Sequence, residues 1–179
     1  MILIVDSGST KSDWIAIDSK KGTHFFEKQR TKGLNPAIIS EQEAHEIINE
    51  NYNLIDHKNL VKYVFFYGAG CGTIEAPKML EKVLKSIFTN AKISVKEDTY
   101  AAIYSTIGFE KHAAVVCILG TGSNCTYFDG QNAQQRVISL GYSIMDDASG
   151  NYFGRQLLRD YYFDFMPHDF KLMFKTRYN

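Results

Sequence analysis

The chain has no net charge, and this absence excludes several kinds of partner. Its 179 residues carry 20 Lys and Arg against 20 Asp and Glu, so the formal net charge is zero. Nucleic-acid-binding domains concentrate basic residues on one face, and proteins that bind membrane surfaces carry polybasic segments. The sequence therefore predicts neither kind of partner, and its 45% hydrophobic content is that of a globular protein with one sizeable core.

Long apolar runs and cysteines are also scarce. Residues 2–5 are apolar, but Asp6 interrupts them, so neither a signal peptide nor a membrane span is predicted. Cys71, Cys117 and Cys125 lack the spacing of a metal site. Cys117 lies in an apolar strand-like run, which predicts a buried side chain. Reduced thiols and a cytoplasmic location fit this composition best.

The most informative stretch is the first eighteen residues, MILIVDSGSTKSDWIAID. Two short apolar runs, residues 2–5 and 14–17, flank a turn of small residues, which predicts a β-hairpin. Successive amides in such a turn form a concave nest that attracts anions, and Gly8 lets a ligand approach the backbone closely. Asp6, at the end of the strand, is suited to Mg²⁺. The pattern indicates a phosphate site, with an ordinary edge hairpin as the alternative.

A second copy of this pattern strengthens the phosphate interpretation. Residues 115–130 read VVCILGTGSNCTYFDG, and they align with the first copy so that Gly8 meets Gly122 and Ser9 meets Ser123. Asp6 then meets Gly120, so the first copy alone carries an acid suited to a metal. A repeat of this length predicts a duplicated supersecondary unit rather than a solenoid. Two such nests could hold the phosphates of one nucleotide from both sides.

These motifs resemble those of a known superfamily. Asp6-Ser7-Gly8-Ser9-Thr10-Lys11 resembles the first phosphate motif of the sugar kinase/Hsp70/actin superfamily, and Gly120-Thr121-Gly122-Ser123-Asn124 resembles the second. Within it, the chain is most similar to the N-acetylglucosamine kinases of the BadF/BadG/BcrA/BcrD-type ATPase group. Three further stretches carry the resemblance: Gly33-Leu34-Asn35-Pro36, Glu97-Asp98 followed by Ala101-Ala102, and Gly141-Tyr142 leading to Asp146-Asp147-Ala148-Ser149-Gly150.

The resemblance covers nearly the whole chain and implies its architecture. The implied class is α/β, with the actin-like ATPase (ribonuclease H-like) fold, in which helices flank a mixed sheet. Residues 1–111 would form the N-terminal lobe, and residues 112–179 would begin a second lobe that the repeat leaves incomplete. We therefore expect this chain to be catalytically inactive or nearly so, with a tendency to form homodimers.

The resemblance also implies an activity and its cofactors. The chain would transfer the γ-phosphoryl group of ATP to a hydroxyl of N-acetylglucosamine or a related amino sugar, and Asp6 would hold the Mg²⁺. The partners would be this sugar and ATP, as small molecules. The phosphates of ATP would be bound at the two turns, by Gly8, Ser9, Thr10, Lys11, Gly120, Thr121, Gly122 and Ser123.

Asp98 is the candidate for the chemical step. It follows a predicted strand at residues 92–95, and a helix is predicted from about Thr99. From the residues alone, a helix cap is favoured over a general base. The resemblance reverses that preference and favours the general base. The side chain of the neighbouring Glu97 is expected to point away from that of Asp98, because adjacent side chains in a strand alternate.

The sugar-binding residues are also carried over from the resemblance. A glycine-rich run at residues 68–72 follows a predicted buried strand, where α/β sheets place their sites. Met145 and Asp147-Ala148 depart from the pattern of the relatives, which leaves the identity of the sugar open. The implied sugar-binding residues are Asn35, Gly68, Ala69, Gly70, Asp98 and Asp146.

Two other functions remain open. One is an ATPase that activates a radical dehydratase or reductase, whose relatives bind an iron–sulfur cluster through cysteines. Cys71 would be its only plausible ligand here. The other is a non-catalytic module that binds a sugar or a nucleotide without turnover.

The remaining predicted elements are a helix with a capping box at Ser40, a helix at residues 75–89, strands at 23–30 and 137–140, and a helix from about Ser149.

Overall fold

The computed structural model describes residues 1–108, 110, 112–135, 141 and 143–178. It divides into two compact units, Met1–Ser105 and Thr106–Asn179. The strand predicted at residues 137–140 lies outside the described residues. Where the structure describes the chain, none of its helices has the length and apolar character needed to cross a membrane.

A five-stranded mixed sheet forms the centre of the first unit. The strands are β1 (Ile2–Ser7), β2 (Lys11–Ile17), β3 (His24–Lys32), β4 (Tyr63–Gly68) and β5 (Lys92–Glu97). Their order in the sheet is β3-β2-β1-β4-β5, with β1 parallel to β4, β4 parallel to β5, and the β1–β2 and β2–β3 pairs antiparallel. The first eighteen residues therefore form the predicted hairpin, extended at both strands.

Helices of the first unit follow the predicted pattern with one addition. The Ser40–Glu43 capping box is present and opens the helix α1, Glu41–Asn49. The chain then forms a separate short helix where the sequence predicts only the end of α1, because the Asn51 side chain accepts a hydrogen bond from the Leu54 amide and caps it. The helices are α1 (Glu41–Asn49), α2 (Tyr52–Asp56), α3 (Glu75–Ile87) and α4 (Thr99–Ile107).

The core lies on one face of this sheet. Alternate residues of β1 and β2 point into it, and Trp14 is fully buried against Phe88, with ring centroids 6.4 Å apart. The indole nitrogen of Trp14 donates to Thr31 Oγ1 at 3.0 Å, so burial leaves no polar atom of the ring unpaired. Leu80 and Leu84 of α3 belong to the same core. The helix α4 contacts the other face, where Tyr104 packs on Tyr67 at 6.1 Å.

The three parallel strands end in register at one edge of the sheet. Ser7, the last residue of β1, pairs with Gly68, the last residue of β4, and Gly68 pairs with Glu97, the last residue of β5. Residues that follow these three positions are therefore brought to one edge. This is the edge at which open α/β sheets bind ligands.

The second unit contains an antiparallel sheet and two helices. The strands are β6 (Ala114–Leu119), β7 (Ser123–Phe128) and β8 (Ala133–Gln134), and the helices are α5 (Gly150–Tyr162) and α6 (His168–Tyr178). Ser149 caps α5, accepting from the Tyr152 amide at 3.1 Å, so the predicted start of this helix is confirmed.

Cys117 corrects a prediction. The sequence predicts a buried side chain, but the structure exposes it. Side chains alternate along β6, and only Val116 is buried there, whereas Val115, Cys117 and Leu119 share the opposite face of the strand. The prediction assumed that both faces of β6 are covered, and among the described residues only one is.

Candidate functional site

The first turn, residues 8–10, presents free backbone donors. The Gly8 amide donates to the Lys11 carbonyl at 2.9 Å and closes the turn. The amides of Ser9 and Thr10 donate to no atom in the part of the chain that the structure describes, and both residues are exposed. Two adjacent exposed N–H groups in a tight turn are the donors that an anion site of the nest type requires. Lys11, the first residue of β2, is also exposed beside them.

The loop at residues 33–35 packs against the backbone of this turn and holds it in place. The Gly33 amide donates to the Thr10 carbonyl at 3.0 Å. A Cβ added at Gly33 would lie 2.4 Å from the carbonyl carbon and oxygen of Ser9 and 2.5 Å from the Gly8 oxygen. Only glycine permits this approach of two backbones. The sequence indicated a ligand-contacting loop here, and the structure adds that it holds the turn.

Two buried serines, which the sequence analysis missed, fix both ends of the turn. The Ser7 and Ser12 hydroxyl oxygens are 2.7 Å apart, and the Leu34 amide donates to both, at 3.0 and 3.2 Å. Both serines occupy inward positions of their strands, where apolar residues otherwise alternate. The sequence did carry a signal for them, because a polar residue stands on each side of the turn at a position where the alternation of the strand predicts an inward side chain.

Asn35 connects the turn to the strand-end loop. Its side chain is buried, with Nδ2 donating to Ser9 Oγ at 2.8 Å and Oδ1 accepting from the Ala37 amide at 2.9 Å. A Cβ added at Gly70 would lie 1.9 Å from Asn35 Oδ1. Gly70 also has a φ of 79°, which disfavours any other residue. Asn35 therefore lies between Ser9 and the glycine-rich loop.

We expect Asn35→Ala to destabilise the first unit by about 1–3 kcal/mol, because it removes the two hydrogen bonds of a buried side chain, to the Ala37 amide and to Ser9. Thermal or urea unfolding measures this. Asn35→Asp is the matched comparison, since it keeps the acceptor and removes the donor to Ser9. If alanine is as stable as the unsubstituted chain, the two hydrogen bonds do not hold this loop.

The ends of the parallel strands are joined by backbone hydrogen bonds. The Ala69 amide donates to the Ser7 carbonyl at 2.8 Å, and the Asp98 amide donates to the Gly68 carbonyl at 3.2 Å. Gly68, Ala69, Gly70 and Asp98 therefore share one edge of the sheet with the first turn, as the sequence predicts. A Cβ added at Gly72 would lie 3.3 Å from Glu97 Oε1. The Glu97 carboxylate thus reaches the glycine-rich loop, so the prediction that it points away is wrong.

Asp98 has the electrostatics of a proton acceptor. Its pKa is raised, first because the side chain is partly buried and then because the Asp6 carboxylate repels a second negative charge. Asp98 Oδ1 also accepts from the Thr99 amide at 3.0 Å, so it caps α4 as well. The helix cap and the proton acceptor, which the sequence posed as alternatives, are compatible in one residue.

The same two carboxylates fit a magnesium ion. Asp6 is exposed at the end of β1, and its repulsion of Asp98 is the kind that a divalent cation relieves. Within the described residues no group of three or more His, Cys, Asp or Glu side chains forms a metal cage. Mg²⁺ is usually held by one or two carboxylates together with water and substrate phosphates, so this sparse donor set suits it.

Cys71 is buried beside these acids. Burial, followed by the charges of Asp98 and Glu97, raises the pKa of its thiol to about 12. A thiol of this kind remains protonated at neutral pH and is a weak nucleophile and a weak metal ligand.

The second turn, residues 120–122, is held from behind by a helix. The Gly120 amide donates to the Gly122 carbonyl at 2.9 Å. The Gly150 and Asn151 amides, at the start of α5, donate to the carbonyls of Gly120 and Thr121 at 2.8 and 3.2 Å. These hydrogen bonds tie the carbonyls of the turn to the first residues of α5.

The second turn also receives Asp146. A Cβ added at Gly122 would lie 2.7 Å from Asp146 Oδ2. Asp146 has a φ of 70°, a strained value for a residue other than glycine, and the Ser149 amide donates to its carbonyl at 3.1 Å. The implied sugar ligand and the implied phosphate turn are therefore neighbours within the second unit.

The structure matches the residues of the two hairpins differently from the sequence alignment. That alignment placed Gly8 on Gly122. In the structure Gly8 and Gly120 each directly follow the first strand of their hairpin, and each donates its amide across its own turn. The repeat is present as two hairpins, with Gly120 as the counterpart of Gly8.

Comparison with solved structures gives the fold. Over 99% of its length the chain is similar to a Porphyromonas gingivalis protein provisionally assigned as an N-acetylglucosamine kinase, with 33% identity and a TM-score of 0.78. The chain spans 62% of that protein. No protein-family model and no curated protein sequence matches the chain.

Two more distant structures have the same fold. One is the inorganic polyphosphate/ATP-glucomannokinase of Arthrobacter sp. strain KM, with 17% identity and a TM-score of 0.52, over 87% of this chain and 72% of that one. The other is a Cytophaga hutchinsonii protein provisionally assigned as a sugar kinase, with 16% identity and a TM-score of 0.51, over 75% of this chain and 49% of that one. The chain thus has the actin-like ATPase fold, with a mixed sheet flanked by helices.

Proposed function

We propose that this chain carries the phosphate turns and the general base of an ATP-dependent sugar kinase acting on N-acetylglucosamine or a related amino sugar. The observation that carries the proposal is the position of Asp98. It lies at the ligand-binding edge of the sheet, partly buried, with a raised pKa and with Asp6 as its electrostatic neighbour. The 33% identity to a provisionally assigned N-acetylglucosamine kinase supports the choice of sugar.

Asp98 would accept the proton of the sugar hydroxyl as it attacks the γ-phosphorus. A carboxylate whose pKa is raised binds a proton more strongly than an exposed one, and its backbone is fixed by the hydrogen bond to Gly68. The transferring phosphoryl group is already electrophilic, so alignment of the hydroxyl and neutralisation of charge supply most of the rate gain.

The remaining residues would bind and orient the two substrates. The free amides of Ser9 and Thr10, beside Gly8 and Lys11, would hold phosphate oxygens, and Asp6 would hold a Mg²⁺ that neutralises phosphate charge. In the second unit the turn at Gly120, Thr121, Gly122 and Ser123 would serve the phosphates too. The sugar would be bound by Asn35, Gly68, Ala69, Gly70, Asp98 and Asp146.

The test is binding and transfer measured side by side on the same preparation. Calorimetric titration with N-acetylglucosamine, glucose and mannose ranks the sugars, and labelled ATP with Mg²⁺ reports phosphate in the sugar. We expect N-acetylglucosamine to bind most tightly and to be the hexose that acquires label, at the low rate proposed for this chain on its own. Binding with no label above the level of Asp98→Asn would favour a sugar-binding module, and binding of no sugar in the panel would overturn the proposal.

Cys71 argues against the radical-enzyme activator. That function needs thiolates placed to bind an iron–sulfur cluster. Burial and two neighbouring acids keep the Cys71 thiol protonated, which opposes cluster ligation. Iron content after anaerobic purification separates the two functions, since a sugar kinase needs none.

Gly122→Val tests the second turn. Its branched side chain would meet the Asp146 carboxylate, where a Cβ already lies 2.7 Å from Oδ2, and would occupy the approach to the turn. Because the carboxylate is the flexible end of a side chain, we expect ATP affinity to fall by about tenfold or more with little loss of thermal stability. Gly154→Val is the control, since Gly154 lies outside the turn, in α5, and a Cβ there meets nothing within 4 Å. Equal ATP affinities in both variants would mean that this hairpin is structural.

Several features rest on the resemblance alone and remain proposals. They are membership of the BadF/BadG/BcrA/BcrD-type group, a cytoplasmic location, a lobe boundary near residue 111, low activity of this chain on its own, and a homodimer. Size-exclusion chromatography with light scattering tests the last of these.

A further inference from the structure

We propose that Cys117 and Cys125 are a redox-active pair that forms a reversible disulfide by exchange with a low-molecular-weight disulfide such as oxidised glutathione. The two residues are directly opposite in the antiparallel pairing of β6 and β7. Their sulfur atoms are 3.0 Å apart. The pair lies outside the residues proposed to bind substrates, and the proposed reaction does not use it.

The register makes the bond geometrically accessible. Side chains directly opposite in an antiparallel pair have Cβ atoms about 4.5–5.5 Å apart, and a disulfide requires about 3.5–4.5 Å. The sulfurs already face each other, so the strands need to approach by only about 1 Å to reach the bond length of about 2.05 Å. No rotation of either strand is required, because both side chains leave the same face of the sheet.

The pair is also accessible to a small reagent. Both cysteines are exposed and line a groove of about 450 Å³. Val115, Leu119 and Tyr127 form its apolar wall, and Ser123 and Asp146 lie on its lining as well. The third cysteine, Cys71, is buried in the other unit, so it provides an internal reference for a thiol that should not react.

The exchange proceeds in two balanced steps. The thiolate of one cysteine attacks a sulfur of oxidised glutathione, forming a mixed disulfide and releasing one glutathione thiolate. The second cysteine thiolate then attacks the protein sulfur of that mixed disulfide and releases the second glutathione. The two protein sulfurs lose two electrons, and both protons end on the two released glutathione thiols. The hydrogen bond to Cys117 raises the pKa of Cys125, so mildly alkaline buffer favours the reaction.

The disulfide would enclose the second turn. Residues 117–125 would become a covalent ring that contains residues 120–122 and Ser123, and a short ring of this kind restricts the conformations of the segment within it. If the turn binds phosphate, which rests on the proposed function, oxidation of the pair would change nucleotide affinity without any substitution in the turn.

The first experiment measures the bond directly. The chain is equilibrated in glutathione buffers of increasing oxidised fraction, alkylated, digested and analysed by mass spectrometry. We expect a cross-link between Cys117 and Cys125 that reduction removes, with Cys71 alkylated only after unfolding. Cys71→Ser should form the same cross-link, and Cys117→Ser should instead carry a glutathione on Cys125. A pair that stays reduced in the most oxidising buffer, or that links to Cys71 or to another chain, overturns the proposal.

The second experiment measures the consequence. Hydrogen exchange of the amides at residues 120–123 should slow by about tenfold in the oxidised chain and should be unchanged by oxidant in Cys117→Ser. ATP titration of both forms then separates the two proposals. A cross-link without any ATP binding in either form contradicts the kinase assignment alone, whereas ATP binding with no cross-link contradicts the redox pair alone.

Discussion

Gly33→Ala should destabilise the first unit by about 3 kcal/mol, near the upper end of what overpacking costs, and should weaken anion binding at the first turn. The added Cβ would lie 2.4 Å from the carbonyl group of Ser9, which real structures do not tolerate. Either the turn must move away or the loop must leave Thr10, to which Gly33 donates its amide. Both responses displace the free amides of Ser9 and Thr10. Urea unfolding monitored by Trp14 fluorescence measures the loss.

Gly8→Ala is the matched control for this substitution. It makes the same chemical change in the turn itself, but the nearest atom to its Cβ, the Lys11 oxygen, is 3.7 Å away, an ordinary contact. We expect its stability to lie within about 1 kcal/mol of the unsubstituted chain. Equal losses in the two variants would show that glycine is needed for backbone freedom and not for the close approach at residue 33.

Asp98→Asn should reduce phosphoryl transfer by about a thousandfold while sugar affinity stays within about tenfold. Asparagine keeps the shape of the side chain and its acceptor for the Thr99 amide, but it cannot take the proton of the hydroxyl. Single-turnover transfer of labelled phosphate and calorimetric sugar binding measure the two effects. Transfer at a near-normal rate would remove Asp98 from the role of base.

The same substitution has a consequence for stability that needs no turnover. Because burial and Asp6 raise the pKa of Asp98 in the folded chain, folding is penalised when this carboxyl is ionised. The penalty is fully present above the raised pKa and disappears below the ordinary pKa of an aspartate. Without Mg²⁺, we therefore expect Asp98→Asn to melt at a higher temperature than the unsubstituted chain at neutral pH, and the difference to vanish in acid.

Glu97→Gln controls for the loss of a negative charge at this edge. The Glu97 carboxylate lies against the Gly72 backbone, and no proton transfer is assigned to it. Its transfer rate should remain within about tenfold of the unsubstituted chain. If glutamine at 97 is as damaging as asparagine at 98, the edge acts through its total charge rather than through one base.

The sequence was sufficient to locate the hairpins and the strand-end acid. Alternation of apolar residues around a small-residue turn is a local signal, and both hairpins follow it. Asp98 could be placed because a short apolar run and a helix cap define the ends of their elements locally. The mixed sheet flanked by helices came from the resemblance, and the structure confirms this fold and adds the strand order.

Features that depend on contacts between residues far apart in the sequence could not be predicted. The Ser7–Ser12–Leu34 hydrogen bonds join three segments, and no single segment signals them. The exposure of Cys117 depends on which face of β6 is covered, and a continuous apolar run does not reveal this. The correspondence of Gly8 with Gly120 could be seen only once the ends of the strands were known. The two glycine-containing motifs can be aligned in more than one way from their sequences.

The hydrogen bonds that join the start of α5 to the second turn couple the tilt of this helix to the conformation of the turn. Gly150 and Asn151 are anchored to Gly120 and Thr121, and the helix extends thirteen residues from this anchor to Tyr162. At a rise of 1.5 Å per residue its length is about 20 Å, so a tilt of about 5° at the turn carries the far end through nearly 2 Å. A small rearrangement around the phosphate proposed to bind here would thereby be magnified at Tyr161 and Tyr162, where ring signals in NMR spectra would register occupancy of the turn from a distance.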